Sequence, residues 1–158
     1  MTNNSVDEND LWPDEILQTP TIRPPVAILK EQATFLASRT NNTLKGEVHQ
    51  NSDTLTTNYE FEYAFYITAP GINYKYRLFT LMHNIEMYPL RIDANSEIFD
   101  EIFTGERGNK KNSVQVGNEA VLKTTLRKIF KSAKVQKVVT SLLALIGYEK
   151  NKGEFIPF

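Results

Sequence analysis

Cysteine is absent from the 158-residue chain, so disulfides, thiolate zinc sites, iron–sulfur clusters and cysteine nucleophiles are excluded. Long apolar runs are missing as well. The longest, at residues 142–146, is far shorter than the ~20 residues that a membrane-spanning helix needs. Residues 1–10 are polar and acidic and lack the basic and apolar regions of a secretion signal. These absences predict a soluble, cytoplasmic protein that does not contact a membrane.

The sequence also lacks the short motifs of common active sites. Neither GxxxxGK[ST] nor GxGxxG occurs, and no serine stands within GxSxG. The chain has two histidines, His49 and His83, and the strand pairing predicted below brings Glu60 beside His83. A metal site or an active site around these three residues is only our third hypothesis. It ranks last because a histidine beside a carboxylate is more often an ordinary polar pair. No catalytic residue and no cofactor is predicted.

Charge is divided unevenly along the chain. Residues 1–100 contain 7 Lys/Arg and 14 Asp/Glu, whereas residues 101–158 contain 11 Lys/Arg and 5 Asp/Glu. The net charge of −1 therefore combines an acidic first part with a basic last part. Such asymmetry is typical of a chain that meets a partner of opposite charge, or that pairs its own two halves.

The hydrophobic periodicity predicts an α+β fold made of a helix followed by a sheet. A helix begins at Pro25 and ends near residue 40, with apolar side chains spaced three and four residues apart. Alternating residues then predict a four-stranded antiparallel meander. Pro89 places the last strand at an edge of the sheet, because proline cannot donate a ladder hydrogen bond. The predicted strands are residues 44–50, 58–69, 74–83 and 85–92.

The hairpin between the second and third predicted strands has a testable register. If Ala69 lies opposite Tyr74, then Phe65 faces Leu78 and the aromatic side chains of both strands share one face. Pro70 and Gly71 fit a type II turn between the strands. We assign the aromatic face to the core rather than to base stacking, because it carries no basic residue and the amphipathic helices must cover an apolar surface.

Three C-terminal helices are predicted to pack on the aromatic face. The first covers Ile98 to Phe103, with Asn95 or Ser96 as its N-cap, and the second begins after Asn118. The apolar stripe changes sides after Phe130, so a break at Ser132 and a third helix that ends at Gly147 are expected. The predicted organisation is an acidic, mostly flexible tail over residues 1–24 and one α+β domain over residues 25–158.

Basic residues between positions 105 and 137 form the main candidate binding surface. They suit an acidic protein surface or a nucleic-acid backbone, and a plain solvated face explains the same spacing. We favour a protein partner, keep nucleic acid as the alternative, and derive no oligomeric state. The candidate residues are Arg107, Lys110, Lys111, Lys123, Arg127, Lys131, Lys134 and Lys137.

The acidic tail contains large apolar residues that its composition does not explain. Leu11, Trp12, Ile16 and Leu17 stand among acidic residues, and Trp12 is the only tryptophan in the chain. Because exposing such side chains to water is unfavourable, we expect this segment to dock in a groove, either on this domain or on a partner. Basic residues such as Lys123, Arg127 or Lys131 would face its carboxylates. Together, the basic helical face and the tail predict a small protein-interaction module.

Overall fold

The computed structural model describes residues 7–17, 22–51, 58–103 and 112–152, and confirms the α+β class. One antiparallel sheet has the strand order β1-β2-β3-β4-β5, which is a continuous meander. No helix in these four described ranges is long and apolar enough to cross a membrane. The strands are β1 (Lys45–Asn51), β2 (Phe61–Ala69), β3 (Tyr74–His83), β4 (Leu90–Ala94) and β5 (Ser113–Val116). The helices are α1 (Pro25–Arg39), α2 (Ser96–Ile102), α3 (Glu119–Lys131) and α4 (Ala133–Lys152).

The sheet has five strands, so the prediction of four was wrong. The missing strand is β5, which pairs with β4 and interrupts the predicted run of three C-terminal helices between α2 and α3. The strand before it is Leu90–Ala94 rather than 85–92, with Pro89 immediately ahead of its first residue. β4 pairs with β3 on one side and with β5 on the other, so it is not an edge strand. The prediction that Pro89 marks an edge strand was therefore also wrong.

The β2–β3 hairpin follows the predicted register only near its turn. Ala69 faces Tyr74, as predicted, but a bulge beside Leu78 puts Phe65 opposite Phe79. Every pair beyond the bulge is therefore shifted by one residue. The turn is a short 3-10 segment, Pro70–Ile72, and the left-handed residue is Asn73 with a φ of 52°. The type II turn predicted at Pro70 and Gly71 was wrong.

The aromatic face of the sheet is the core, as predicted. Tyr63, Phe65 and Ile67 are buried on it. The ring of Phe130 on α3 lies 5.7 Å from that of Phe65 and 6.3 Å from that of Phe79, measured between ring centroids. Stacked and tilted aromatic pairs of this kind add to the stabilisation that comes from burying apolar area. The helices thus cover one face of the sheet and leave the other face polar.

Side-chain caps define the helix boundaries in the C-terminal part. The side-chain oxygens of Asn95 and Asn118 accept hydrogen bonds from the N–H groups of Ile98 and Val121, which confirms both predicted caps. The predicted break at Ser132 is confirmed, because α3 ends at Lys131 and α4 begins at Ala133. The predicted stop at Gly147 was wrong, since α4 continues to Lys152. One glycine costs a helix about 1 kcal/mol relative to alanine, too little to end a long helix.

Ser132→Ala is expected to lower the free energy of unfolding by about 1.5 kcal/mol. Ser132 is buried, and its hydroxyl donates to the carbonyl of Ile129 (2.7 Å) and accepts from the N–H of Val135 (3.3 Å). Alanine leaves both backbone groups without this partner. Urea unfolding of the variant beside Ser141→Ala, an exposed position within α4, measures the difference. Equal stability of the two variants would show that the cap contributes nothing.

Candidate functional site

A groove runs along the helical face of the molecule, between α1 on one side and α3 with the start of α4 on the other. Its first part has a volume of 540 Å³, and three apolar residues, Ile28, Leu126 and Phe130, line it among polar and charged ones. Its second part, of 360 Å³, opens between α1 and α4 over core residues of the sheet such as Ile67 and Leu78. Gln32, Arg39, Phe130 and Gln136 line both parts, so they form one continuous feature, which we call the α1–α3 groove.

Basic side chains border the first part of this groove. Lys123, Arg127 and Lys131 follow one another at intervals of four residues along α3, so they lie on the same side of the helix. Leu122 and Ile129 on the opposite side are buried in the core. Across the groove, the last turn of α1 adds Arg39. The rim is therefore cationic while the floor is apolar.

Ion pairs neutralise the positive charge at one end of the rim. Arg23 binds Glu31, and the ammonium of Lys123 lies 3.1 Å from a carboxylate oxygen of Glu119. The hydrogen bond from Arg23 lowers the pKa of Glu31 below its ordinary value. A lowered carboxylate pKa means that the pair stabilises the fold above the ordinary pKa and that this contribution is lost as the pH falls through the folded-state value.

The other end of the rim carries uncompensated positive charge. Arg39, Arg127 and Lys131 have no ion-pair partner among the residues that the structure describes. All three are exposed to solvent at the border of the groove. An anionic group that approaches the groove from this end would therefore meet three cationic side chains around an apolar floor.

The remaining predicted basic residues lie elsewhere. Lys134 pairs with Glu97 on α2 at 3.3 Å, and Lys137 is exposed on α4 and does not line the groove. Lys128, on the same helix as the rim, turns its ammonium toward the ring of Phe103, 5.8 Å from the centroid. The single basic face expected from sequence is thus divided between two sides of the molecule. Three predicted residues fall outside the described ranges: Arg107, Lys110 and Lys111.

The apolar residues of the acidic tail are exposed. The exposed fractions of Leu11, Trp12 and Ile16 are 91%, 73% and 55%. The backbone around them is locally ordered, because the carboxylate of Asp10 accepts a hydrogen bond from the N–H of Trp12 and a 3-10 turn spans Asp14–Leu17. The side chain of Leu17 lies outside the described part of the structure. Docking of this segment in a groove, on this domain or on a partner, stays a prediction.

The two histidines occupy ordinary structural positions. His83 is buried, stacks on Phe61 with ring centroids 5.1 Å apart, and has Nδ1 2.7 Å from the carbonyl oxygen of Asn84. The predicted pairing of Glu60 with His83 was wrong, because the bulge in β3 brings Phe61 opposite His83. His49 lies at the surface with Nε2 2.9 Å from the carboxylate of Glu47.

The surroundings of these histidines fit polar pairing better than metal binding. Hydrogen bonds from His49 and Lys75 lower the pKa of Glu47, so its carboxylate is already shared between two side chains. Within the described ranges, no group of three or more histidine, aspartate or glutamate side chains could hold a metal ion.

A polar cavity of 760 Å³ on the opposite face of the sheet was not predicted from the sequence. Its lining includes Arg77 and Arg91. Nε and Nη2 of Arg91 donate to both oxygens of Asp93, at 2.7 and 2.9 Å, and the hydroxyl of Ser113 donates to Asp93 at 2.6 Å. The carboxylate thus fixes and neutralises the guanidinium. The strand alternation already placed polar residues on this face, but it did not show that they surround a cavity.

Comparisons with known proteins add no relative. No protein-family model, no curated protein and no solved structure matches the chain. The α1–α3 groove is the candidate binding site, because it combines an apolar floor with uncompensated positive charge.

Proposed function

We propose that the protein is a protein-interaction module rather than an enzyme, and that its α1–α3 groove binds an acidic segment of a partner protein that carries two or three large apolar side chains. The observation that supports this proposal most strongly is the placement of three uncompensated cationic side chains, Arg39, Arg127 and Lys131, around an apolar floor. The floor and the rim of the groove then have separate roles. The floor supplies affinity, and the rim selects acidic sequences.

The floor suits large apolar side chains. Phe35 is 49% exposed at the border of the second part, and Phe130 is shared by both parts. Fully burying a large apolar side chain contributes about 1.5–3 kcal/mol, so two or three anchors are needed to offset the ordering of a short peptide. We therefore expect dissociation constants on the order of 10 µM, which is about −7 kcal/mol.

The rim suits carboxylates. Arginine binds a carboxylate through two parallel hydrogen bonds, and charges at the edge of an interface mainly increase the association rate and the discrimination between partners. Glu31 on the same border is paired with Arg23, so its negative charge is already compensated. A nucleic acid is the alternative polyanion, but backbone phosphates would use only the rim and would leave the apolar floor without a ligand.

The test uses a fluorescein-labelled peptide with the sequence of residues 7–17, an acidic probe with tryptophan and leucine anchors. We expect its anisotropy to rise on titration with full-length Leu11→Ser/Ile16→Ser, in which the chain's own copy of this sequence lacks two anchors. Binding should weaken about tenfold between 0.05 and 0.5 M salt, because salt screens exposed charges. Two control peptides separate the two roles. In one, asparagine and glutamine replace the acidic residues; in the other, serine replaces the tryptophan and leucines.

The outcomes distinguish the hypotheses. Weaker binding of both control peptides supports the proposal. Equal binding of all three peptides, or no binding of the acidic peptide at low salt, contradicts it. A labelled random oligonucleotide that binds more tightly than the acidic peptide would favour the nucleic-acid alternative.

A further inference from the structure

We infer that the groove has a ligand within the same chain: the segment of residues 10–17, called here the Trp12 segment, docks into the α1–α3 groove of its own molecule and competes with the partner. This inference rests on the proposed function, because it assigns the same site a second, intramolecular occupant. The structure shows the undocked state, in which both the segment and the groove are open to solvent. Regulation then consists of the exchange between the docked and undocked states.

The Trp12 segment has the chemistry that the groove selects. Residues 7–17 contain five Asp or Glu and no Lys or Arg, so their charge is opposite to that of Arg39, Arg127 and Lys131. Leu11, Trp12 and Ile16 supply large apolar side chains, and more than half of each side chain is exposed. No other described element combines acidic charge with three exposed large apolar side chains. Charge and hydrophobicity thus both point to this occupant.

The tether is long enough for docking within one molecule. Seven residues, 18–24, connect the segment to α1, and an extended chain of that length spans up to about 24 Å. Ile28 and Glu31 line the groove within two turns of the first residue of α1, which is about 9 Å along the helix axis. Folding the tail back along α1 therefore brings the segment into the groove. A short tether also gives an effective concentration in the millimolar range.

The balance between the two states makes the segment displaceable. Effective concentrations in the millimolar range against a dissociation constant on the order of 10 µM favour the docked state by about 100-fold. That ratio lowers the apparent affinity for a partner by the same factor, because a partner binds only the open groove. Disabling the Trp12 segment is therefore expected to tighten partner binding, whereas it would leave binding unchanged if the tail were a passive extension.

The first measurement uses Trp12, the only tryptophan, as a reporter of the tail in the full-length protein. We expect blue-shifted emission and protection from acrylamide quenching, both independent of protein concentration between 1 and 100 µM. Leu11→Ser/Ile16→Ser keeps the reporter but removes two anchors, and its emission should become solvent-like. Ile22→Ser is the matched control, because Ile22 is exposed to a similar extent, 59%, outside the segment. Emission that changes with protein concentration would indicate docking between molecules and overturn the inference.

The second measurement titrates the labelled peptide of residues 7–17 into wild-type protein and into full-length Leu11→Ser/Ile16→Ser. We expect at least tenfold tighter binding to the variant and no change for Ile22→Ser. Equal affinities together with solvent-like Trp12 emission overturn the intramolecular docking but leave the groove as a binding site. No binding of the peptide to either protein contradicts the proposed function itself.

Discussion

Gly46→Ala is expected to lower the free energy of unfolding by about 3 kcal/mol, which corresponds to a melting temperature about 10 °C lower. Gly46 lies on β1, against Ala33 of α1. A Cβ atom at this position would stand 2.5 Å from the Cα of Ala33 and 2.6 Å from its Cβ, closer than real contacts allow. The near neighbour is helix backbone, so α1 must move away from β1 as a whole. Thermal and urea unfolding both measure the loss.

Gly117→Ala is the matched control for this prediction. A Cβ atom at Gly117 would meet nothing within 4 Å, so the same chemical change is expected to alter stability by less than about 0.5 kcal/mol. If the two alanine variants unfold at the same denaturant concentration, the contact between α1 and β1 is looser than the structure describes. Because α1 forms one wall of the α1–α3 groove, the loss at Gly46 would also widen the proposed binding site.

Local patterns predicted the fold where local interactions determine it. Residues 74–78 alternate, and Pro25, Asn118 and Ser132 stand where helix chemistry requires them, so these boundaries agree with the structure. The bulge at Leu78 does break the pattern, because Leu78 and Phe79 are adjacent apolar residues and both are buried. The predicted register continued the alternation through this pair and therefore missed the bulge. β5 has only four residues and follows a polar stretch of sequence, and a strand this short is defined by its pairing with β4 rather than by its own sequence.

The candidate site was predictable only in part, because a groove is a tertiary feature. Helical spacing identified Lys123, Arg127 and Lys131 as one face of a helix. It gave no indication that Arg39 of α1, more than eighty residues earlier in the chain, completes the rim. The apolar floor was also hidden, since Ile28, Leu126 and Phe130 fit the core pattern of their helices as well as they fit a groove. Proximity of two helices follows from packing on the sheet, which single-sequence periodicity does not describe.

Charge reversal on the rim, Arg127→Glu/Lys131→Glu, made in the Leu11→Ser/Ile16→Ser chain so that the tail no longer competes, is expected to weaken binding of the labelled 7–17 peptide at least 30-fold at low salt. Each substitution replaces an attraction with a repulsion between like charges, and a combined change of about 2 kcal/mol gives that factor. Both side chains are exposed and have no ion-pair partner among the described residues, so we expect the stability of the fold to change by less than about 0.5 kcal/mol. Anisotropy titrations at 0.05 and 0.5 M salt measure the effect, which should shrink at the higher concentration.

The control for charge reversal is Lys128→Glu/Lys137→Glu, which makes the same change in net charge with one substitution on α3 and one on α4. Lys128 and Lys137 are exposed, and neither lines the α1–α3 groove. If binding depends on the overall charge of the protein, the two double variants lose affinity equally. If the rim recognises the peptide, only Arg127→Glu/Lys131→Glu loses it. The same two substitutions in a chain with an intact tail shift Trp12 emission toward that of an exposed tryptophan, because the chain's own segment depends on the same two side chains.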